Sequence, residues 1–120
     1  MTVTTMATTK TKAALKQSMK DCMEAHIACV ELESRAREMD DMRVDETLLR
    51  VIRECAEMCR LTSEAALHDS DSRPVLAKAC IEVSRRCAED CARFHGNVEM
   101  QRCADACARA ILACQRLAKS

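Results

Sequence analysis

The sequence predicts an all-α protein, an up-down-up-down four-helix bundle with a cysteine-lined core. Three observations lead there. One Gly and one Pro in 120 residues leave little material for β-turns, and abundant Ala, Glu, Arg, Leu, Lys and Met favour helix throughout. Apolar residues recur at spacings of three and four in four stretches, each separated from the next by a short polar break. All ten cysteines fall on those four stripes. If an inward stripe takes about three positions in seven, ten independent cysteines would all land on it on the order of once in several thousand trials.

Residues 1–10 are threonine-rich without apolar period and are expected to form a flexible tail, leaving 11–120 as the bundle. Helix 1 is expected from about Thr11 to Met39, with an inward stripe of Leu15, Met19, Cys22, His26, Cys29 and Ala36. Asp40-Asp41-Met42-Arg43 breaks the pattern. Asp45 is a suitable N-cap for helix 2, with Glu46 favourable in its first turn. That helix runs to about His68, and its stripe is Leu48, Ile52, Cys55, Cys59, Thr62 and Ala66.

The polar segment Asp69-Ser70-Asp71-Ser72 ends the second stripe, and Ser72 before Arg73-Pro74 reads as the start of helix 3, since proline is tolerated in a first turn. Helix 3 is expected to reach Phe94 with Ala77, Cys80, Ser84, Cys87, Cys91 and Phe94 facing inward. Gly96 suits a left-handed C-cap and Asn97 an N-cap, so helix 4 follows at once. Its stripe is Met100, Cys103, Cys107, Ala110, Cys114 and Leu117.

The turn at residue 97 sets the depth of the last two helices. Folding the chain there levels Cys91 with Cys103, Cys87 with Cys107, and Cys80 with Cys114. A turn near residue 70 likewise brings Cys55 and Cys59 level with the region between Cys80 and Cys87. The sulfurs therefore form a column along the bundle axis.

Composition narrows the partners. The 19 basic and 19 acidic residues cancel and are interspersed, which leaves no footprint for nucleic acid or an anionic membrane surface. No apolar run is long enough to span a bilayer, and the N-terminus carries neither a hydrophobic signal core nor twin arginines, so a cytoplasmic location is expected. One Phe and no Tyr or Trp against 10 Cys and 8 Met make the core unusually rich in sulfur. In a reducing cytosol that many cysteines point to metal ligands before disulfides. An enzyme is not expected, because no nucleophile, base and orienting group recur at workable spacing.

A buried cysteine can simply fill space as a small hydrophobe, and a bundle that binds metal only incidentally is one alternative. Another is oxidation: Cys87-x3-Cys91 and Cys103-x3-Cys107 form a twin CX3C hairpin that resembles the small disulfide-bonded chaperones of the mitochondrial intermembrane space. Cys22, Cys29, Cys55, Cys59, Cys80 and Cys114 extend the stripe well beyond two bridges. Zinc and iron–sulfur sites usually draw on CxxC turns, and the chain has none. Cu(I) suits the pattern better, since soft thiolates bind it in twos and threes and bridge neighbouring ions. The candidate ligands are the ten cysteines, with His26 between Cys22 and Cys29 as an eleventh. His68 and His95 fall at helix ends as surface residues. Met39, Met42 and Met100 gather with His95 at one end, either as core filler or as a thioether-lined mouth.

Cys22-x6-Cys29, Cys55-x3-Cys59, Cys80-x6-Cys87-x3-Cys91 and Cys103-x3-Cys107-x6-Cys114 together resemble the bacterial copper storage proteins. The resemblance covers about Cys22 to Cys114 and implies a four-helix bundle that holds multiple Cu(I) ions in its core. It is closest to the cytosolic members, and it implies a homo-oligomer, typically a tetramer of bundles. His26, Ser84 and Ala110 stand where CxxxCxxC would place further thiols, which implies a lower capacity. Ile27 and Leu112 lie away from their stripes and are expected on the outer face.

Overall fold

The computed structural model describes the backbone of residues 2–119 and the side chains of residues 12–119. Four helices account for it: α1 (Thr2–Ala36), α2 (Glu46–Leu67), α3 (Arg73–Ala92) and α4 (Val98–Lys119). Each packs on its sequence neighbours, and α4 closes the square against α1. The result is the expected up-down-up-down bundle. No described helix is long and apolar enough to cross a membrane.

Helix α1 begins upstream of the expected start near Thr11, since neither Gly nor Pro interrupts the stretch. The side chains of the expected tail lie outside the described residues. The helix ends at Ala36 and not Met39, because Glu38 N–H and Met39 N–H turn back to the carbonyls of Arg35 and Ala36, at 3.0 and 3.1 Å. These i→i+3 bonds tighten and stop the last turn.

The N-caps of α2 and α4 form as the sequence indicates. Asp45 Oδ1 accepts the Leu48 N–H at 2.9 Å, and Asn97 Oδ1 accepts that of Met100 at 3.0 Å. Ser72 does not cap α3: it sits in the right-handed helical region with its side chain unused there, and its own N–H donates to Ser70 Oγ at 3.1 Å. The end of α2 explains the difference. Asp69 adopts φ 52°, and Ser70 N–H reaches the Ala65 carbonyl at 2.9 Å in a Schellman-type closure. The chain then enters α3 through this tight turn, already in helical conformation at Ser72. Gly96 takes φ 80° between α3 and α4, which end and begin within six residues of each other.

The stripes of α2, α3 and α4 are buried at every predicted position. In α1 the inward residues are Ser18, Cys22, Ala25, Cys29, Leu32 and Ala36, while Leu15, Met19 and His26 are half-buried. Counting three and then four residues from Cys22 selects Ala25 and Cys29, so position 25 faces the axis and 26 turns aside. Ile27 and Leu112 are exposed, as expected.

Candidate metal centre

All ten cysteines are free thiols with no exposed surface. Their sulfurs run along the axis in an unbroken series. At the end where α1 enters the bundle, Cys22 lies 3.8 Å from Cys114. The Cys114 thiol bonds that of Cys80, which is 3.8 Å from Cys59. Cys59 is 4.0 Å from Cys55, and Cys55 is 3.7 Å from Cys107. Toward the Gly96 turn, Cys29 lies 3.6 Å from Cys103, which also bonds Cys91.

Two groups are tighter than a series. The sulfurs of Cys29, Cys55, Cys87 and Cys107 all lie within 4.8 Å of one another, and so do those of Cys87, Cys91 and Cys103. The first group takes one residue from each helix. The depth matches read from the turns near residues 70 and 97 hold: Cys91 meets Cys103, Cys87 meets Cys107, Cys80 meets Cys114 and Cys59 meets Cys80.

Sequence reasoning did not find the partners of α1. Cys22–Cys114 and Cys29–Cys103 join helices that are distant in the chain, with no turn to set their register. The signal was nevertheless present, since α1 and α4 are antiparallel and both pairs sum to about the same residue number, as level pairs must.

Ser84 stands within the column. Its Oγ lies 3.6 Å from Cys80 Sγ and 3.7 Å from the sulfurs of both Cys55 and Cys59. It occupies the place of a thiol. Thr62 donates its hydroxyl to the Met58 carbonyl at 2.8 Å, and Ser63 donates to the Met19 carbonyl at 3.0 Å. Ser18, one turn before Cys22, is buried with no hydrogen-bond partner for its Oγ.

His26, unlike the ten cysteines, is only half-buried. Its Nδ1–H donates to the Ala56 carbonyl at 2.8 Å, and neither compact sulfur group includes it. It pins α1 to α2 from the side. The methionine mouth also resolves into parts. Met100 is buried, Met39 is half-buried with its sulfur 3.7 Å from Asn97 Nδ2, and Met42 and His95 are exposed. His68 is exposed as well. Buried Phe94 closes the α3 stripe at this end, with the Arg43 guanidinium over its ring at 4.4 Å and bonded to the Arg93 carbonyl.

Proximity makes the thiols ionise as a set. Cys103 is pushed down, chiefly by the Cys107 thiol and then by Cys29 and Cys87, all of which donate to its thiolate. Cys55 is lowered by Cys107 and Cys29, and Cys80 by Cys114 and Cys59. The donors are raised in return: Cys29 and Cys87 by Cys103, Cys59 by Cys55, and Cys114 by Cys22, with burial adding to each. One thiolate thus keeps its neighbours protonated. Ionising the whole column requires cations inside it.

A buried series of sulfurs at these separations can hold soft cations. Comparison with known proteins agrees. The family model of copper storage proteins matches residues 8–119. Among solved structures, the Cu(I)-bound copper storage protein BsCsp3 has the same fold, with a TM-score of 0.80 and 24% identity over 88% of this chain and 98% of that one. No curated protein matches the sequence. On the family match, which spans all four helices and every cysteine, this chain belongs to the copper storage protein family.

Proposed function

We propose that the protein sequesters and stores several Cu(I) ions per chain on the thiolates of Cys22, Cys29, Cys55, Cys59, Cys80, Cys87, Cys91, Cys103, Cys107 and Cys114. One observation carries this reading: the ten sulfurs form a continuous buried series, with Cys22–Cys114, Cys80–Cys59, Cys59–Cys55, Cys55–Cys107 and Cys29–Cys103 at 3.6–4.0 Å. Cu(I) needs only two or three soft ligands, and a thiolate can bridge two ions. Full bridging by ten thiolates in digonal sites would hold about ten ions, and Ser84 stands where an eleventh thiol would raise that ceiling. BsCsp3, with the same fold, is a Cu(I)-bound storage protein.

The storage unit in this reading is residues 11–120, acting without catalysis. His26 serves as a strut between α1 and α2 and not as a ligand. Free thiols in such number suit a reducing compartment, so we place the protein in the cytoplasm. Exposed Ile27, Val30 and Leu112 are available to a homo-oligomer, a tetramer by family resemblance.

Anaerobic Cu(I) titration of the reduced protein with metal analysis tests the proposal. Saturation at several equivalents per chain is expected, and saturation at one equivalent would refute it. A thiol count under denaturing conditions separates storage from the disulfide alternative: ten free thiols are expected, and almost none would mean an oxidised hairpin.

A further inference from the structure

We propose that the ring of Cys29, Cys55, Cys87 and Cys107 is a preorganised site for one divalent ion of tetrahedral thiolate preference, of which zinc is the commonest. The proposal does not depend on copper storage. At a zinc–sulfur distance of about 2.3 Å, a regular tetrahedron has edges of about 3.8 Å. Cys55 and Cys107 already stand 3.7 Å apart, and every pair in the ring is within 4.8 Å. Closing the ring onto an ion moves no pair by more than about 1 Å, which side-chain torsions can supply.

The lack of a CxxC turn does not argue against such a site. That spacing brings two sulfurs to one ion from neighbouring residues, whereas here each helix brings one and the bundle does the gathering. The four sulfurs are fully buried, so the site is closed and its coordination complete.

Four thiolates around a dication leave two negative charges in the core. Cys103, 3.6 Å from Cys29, and Cys59, 4.0 Å from Cys55, flank the ring within hydrogen-bond reach of its sulfurs. The column has room for one such ring. The other compact group has three sulfurs and shares Cys87, and at the level of Cys59 and Cys80 the place of a further thiol is taken by the Ser84 hydroxyl, a poor ligand for a soft ion.

Co(II) is the probe, because four thiolates in a tetrahedron give it intense visible absorption that octahedral cobalt lacks. Titrating full-length, reduced, metal-free protein anaerobically should develop these bands and saturate at one equivalent per chain. One equivalent of Zn(II) should then bleach them. Cys107→Ser should weaken cobalt binding more than about tenfold, while Cys114→Ser should change it less than about twofold. Ser84 shows that the column accepts a hydroxyl, circular dichroism checks each variant's helicity, and Cys87→Ser replaces Cys107→Ser if the latter fails to fold. Absence of tetrahedral bands, saturation well above one equivalent, or equal losses from the ring and Cys114 variants would overturn the proposal. Should the same sample load several Cu(I) ions yet give no cobalt bands, the divalent site fails while storage stands.

Discussion

Eight of the ten cysteines form two quartets, and each quartet draws one sulfur from every helix. Cys29, Cys55, Cys87 and Cys107 converge, with all four sulfurs within 4.8 Å of one another. Cys22, Cys59, Cys80 and Cys114 connect in series, Cys22 to Cys114 at 3.8 Å and Cys59 to Cys80 at 3.8 Å. Residue type, helix of origin and burial are the same in both. What differs is how the sulfurs meet and what stands beside them. Near the second quartet a groove of about 870 Å³ opens between α1 and α2, lined by Met19, Met23, Ser63 and Leu67 among others. Hydroxyls of Thr62 and Ser84 also stand among its sulfurs. Ligand count alone therefore does not describe a sulfur column, because four thiols can meet round a point or follow one another along a line.

The widest separation between the quartets should appear in Cu(I) affinity. Replacing Cys55 and Cys107 by serine removes two converging thiolates, and replacing Cys22 and Cys114 removes a terminal pair. Competition against a Cu(I) chelator should show the first double variant weaker than the second by about tenfold or more for the tightest ions, a difference of about 1.4 kcal/mol or more. Equal losses would mean that convergence in the metal-free protein does not persist with copper bound.

The ends of the column differ next. Phe94 and Arg43 cover the end nearest the converging ring, whereas the groove flanks the other. Truncating a buried phenylalanine removes packing and leaves a void, so Phe94→Ala should destabilise the metal-free protein by about 3 kcal/mol in denaturant unfolding. Leu67→Ala, beside the groove and exposed, should cost less than about 0.5 kcal/mol. Similar losses would remove the contrast between a closed and an open end.

The smallest effect concerns the hydroxyl between the quartets. Ser84→Cys places a further thiol beside Cys55, Cys59 and Cys80. Metal analysis at saturation should find about one more Cu(I) per chain than in the parent protein. An unchanged count would show that Ser84 does not limit capacity.

Much of this arrangement was legible in the sequence, for physical reasons that also mark where reading stops. The stripes of α2, α3 and α4 were readable because cysteine and large apolar residues mark nearly every inward turn. In α1 the inward residue is Ala25, and alanine serves either face of a helix, so the sequence pattern does not distinguish position 25 from His26. Asp45 and Asn97 were recognisable caps because they precede their helices with no competing turn, whereas Ser72 follows a turn that already sets its backbone. The converging ring was only partly visible. Counting from the turns aligns Cys55, Cys87 and Cys107, but the arrival of Cys29 depends on α1 packing against α4, a pair of helices with no connecting turn to set the register.

Complete burial of the ten sulfurs has a consequence for time as well as affinity. With no thiol at the surface, an ion cannot be handed to an acceptor through a preformed contact, and the helices must first part. The residence time of stored metal is then the waiting time for a local opening, a quantity that helix packing governs together with the metal–sulfur bond. Such a store behaves as a timed reservoir: a partner that wedges two helices apart at the groove would draw copper quickly, and a small chelator of equal affinity would wait for the bundle to breathe.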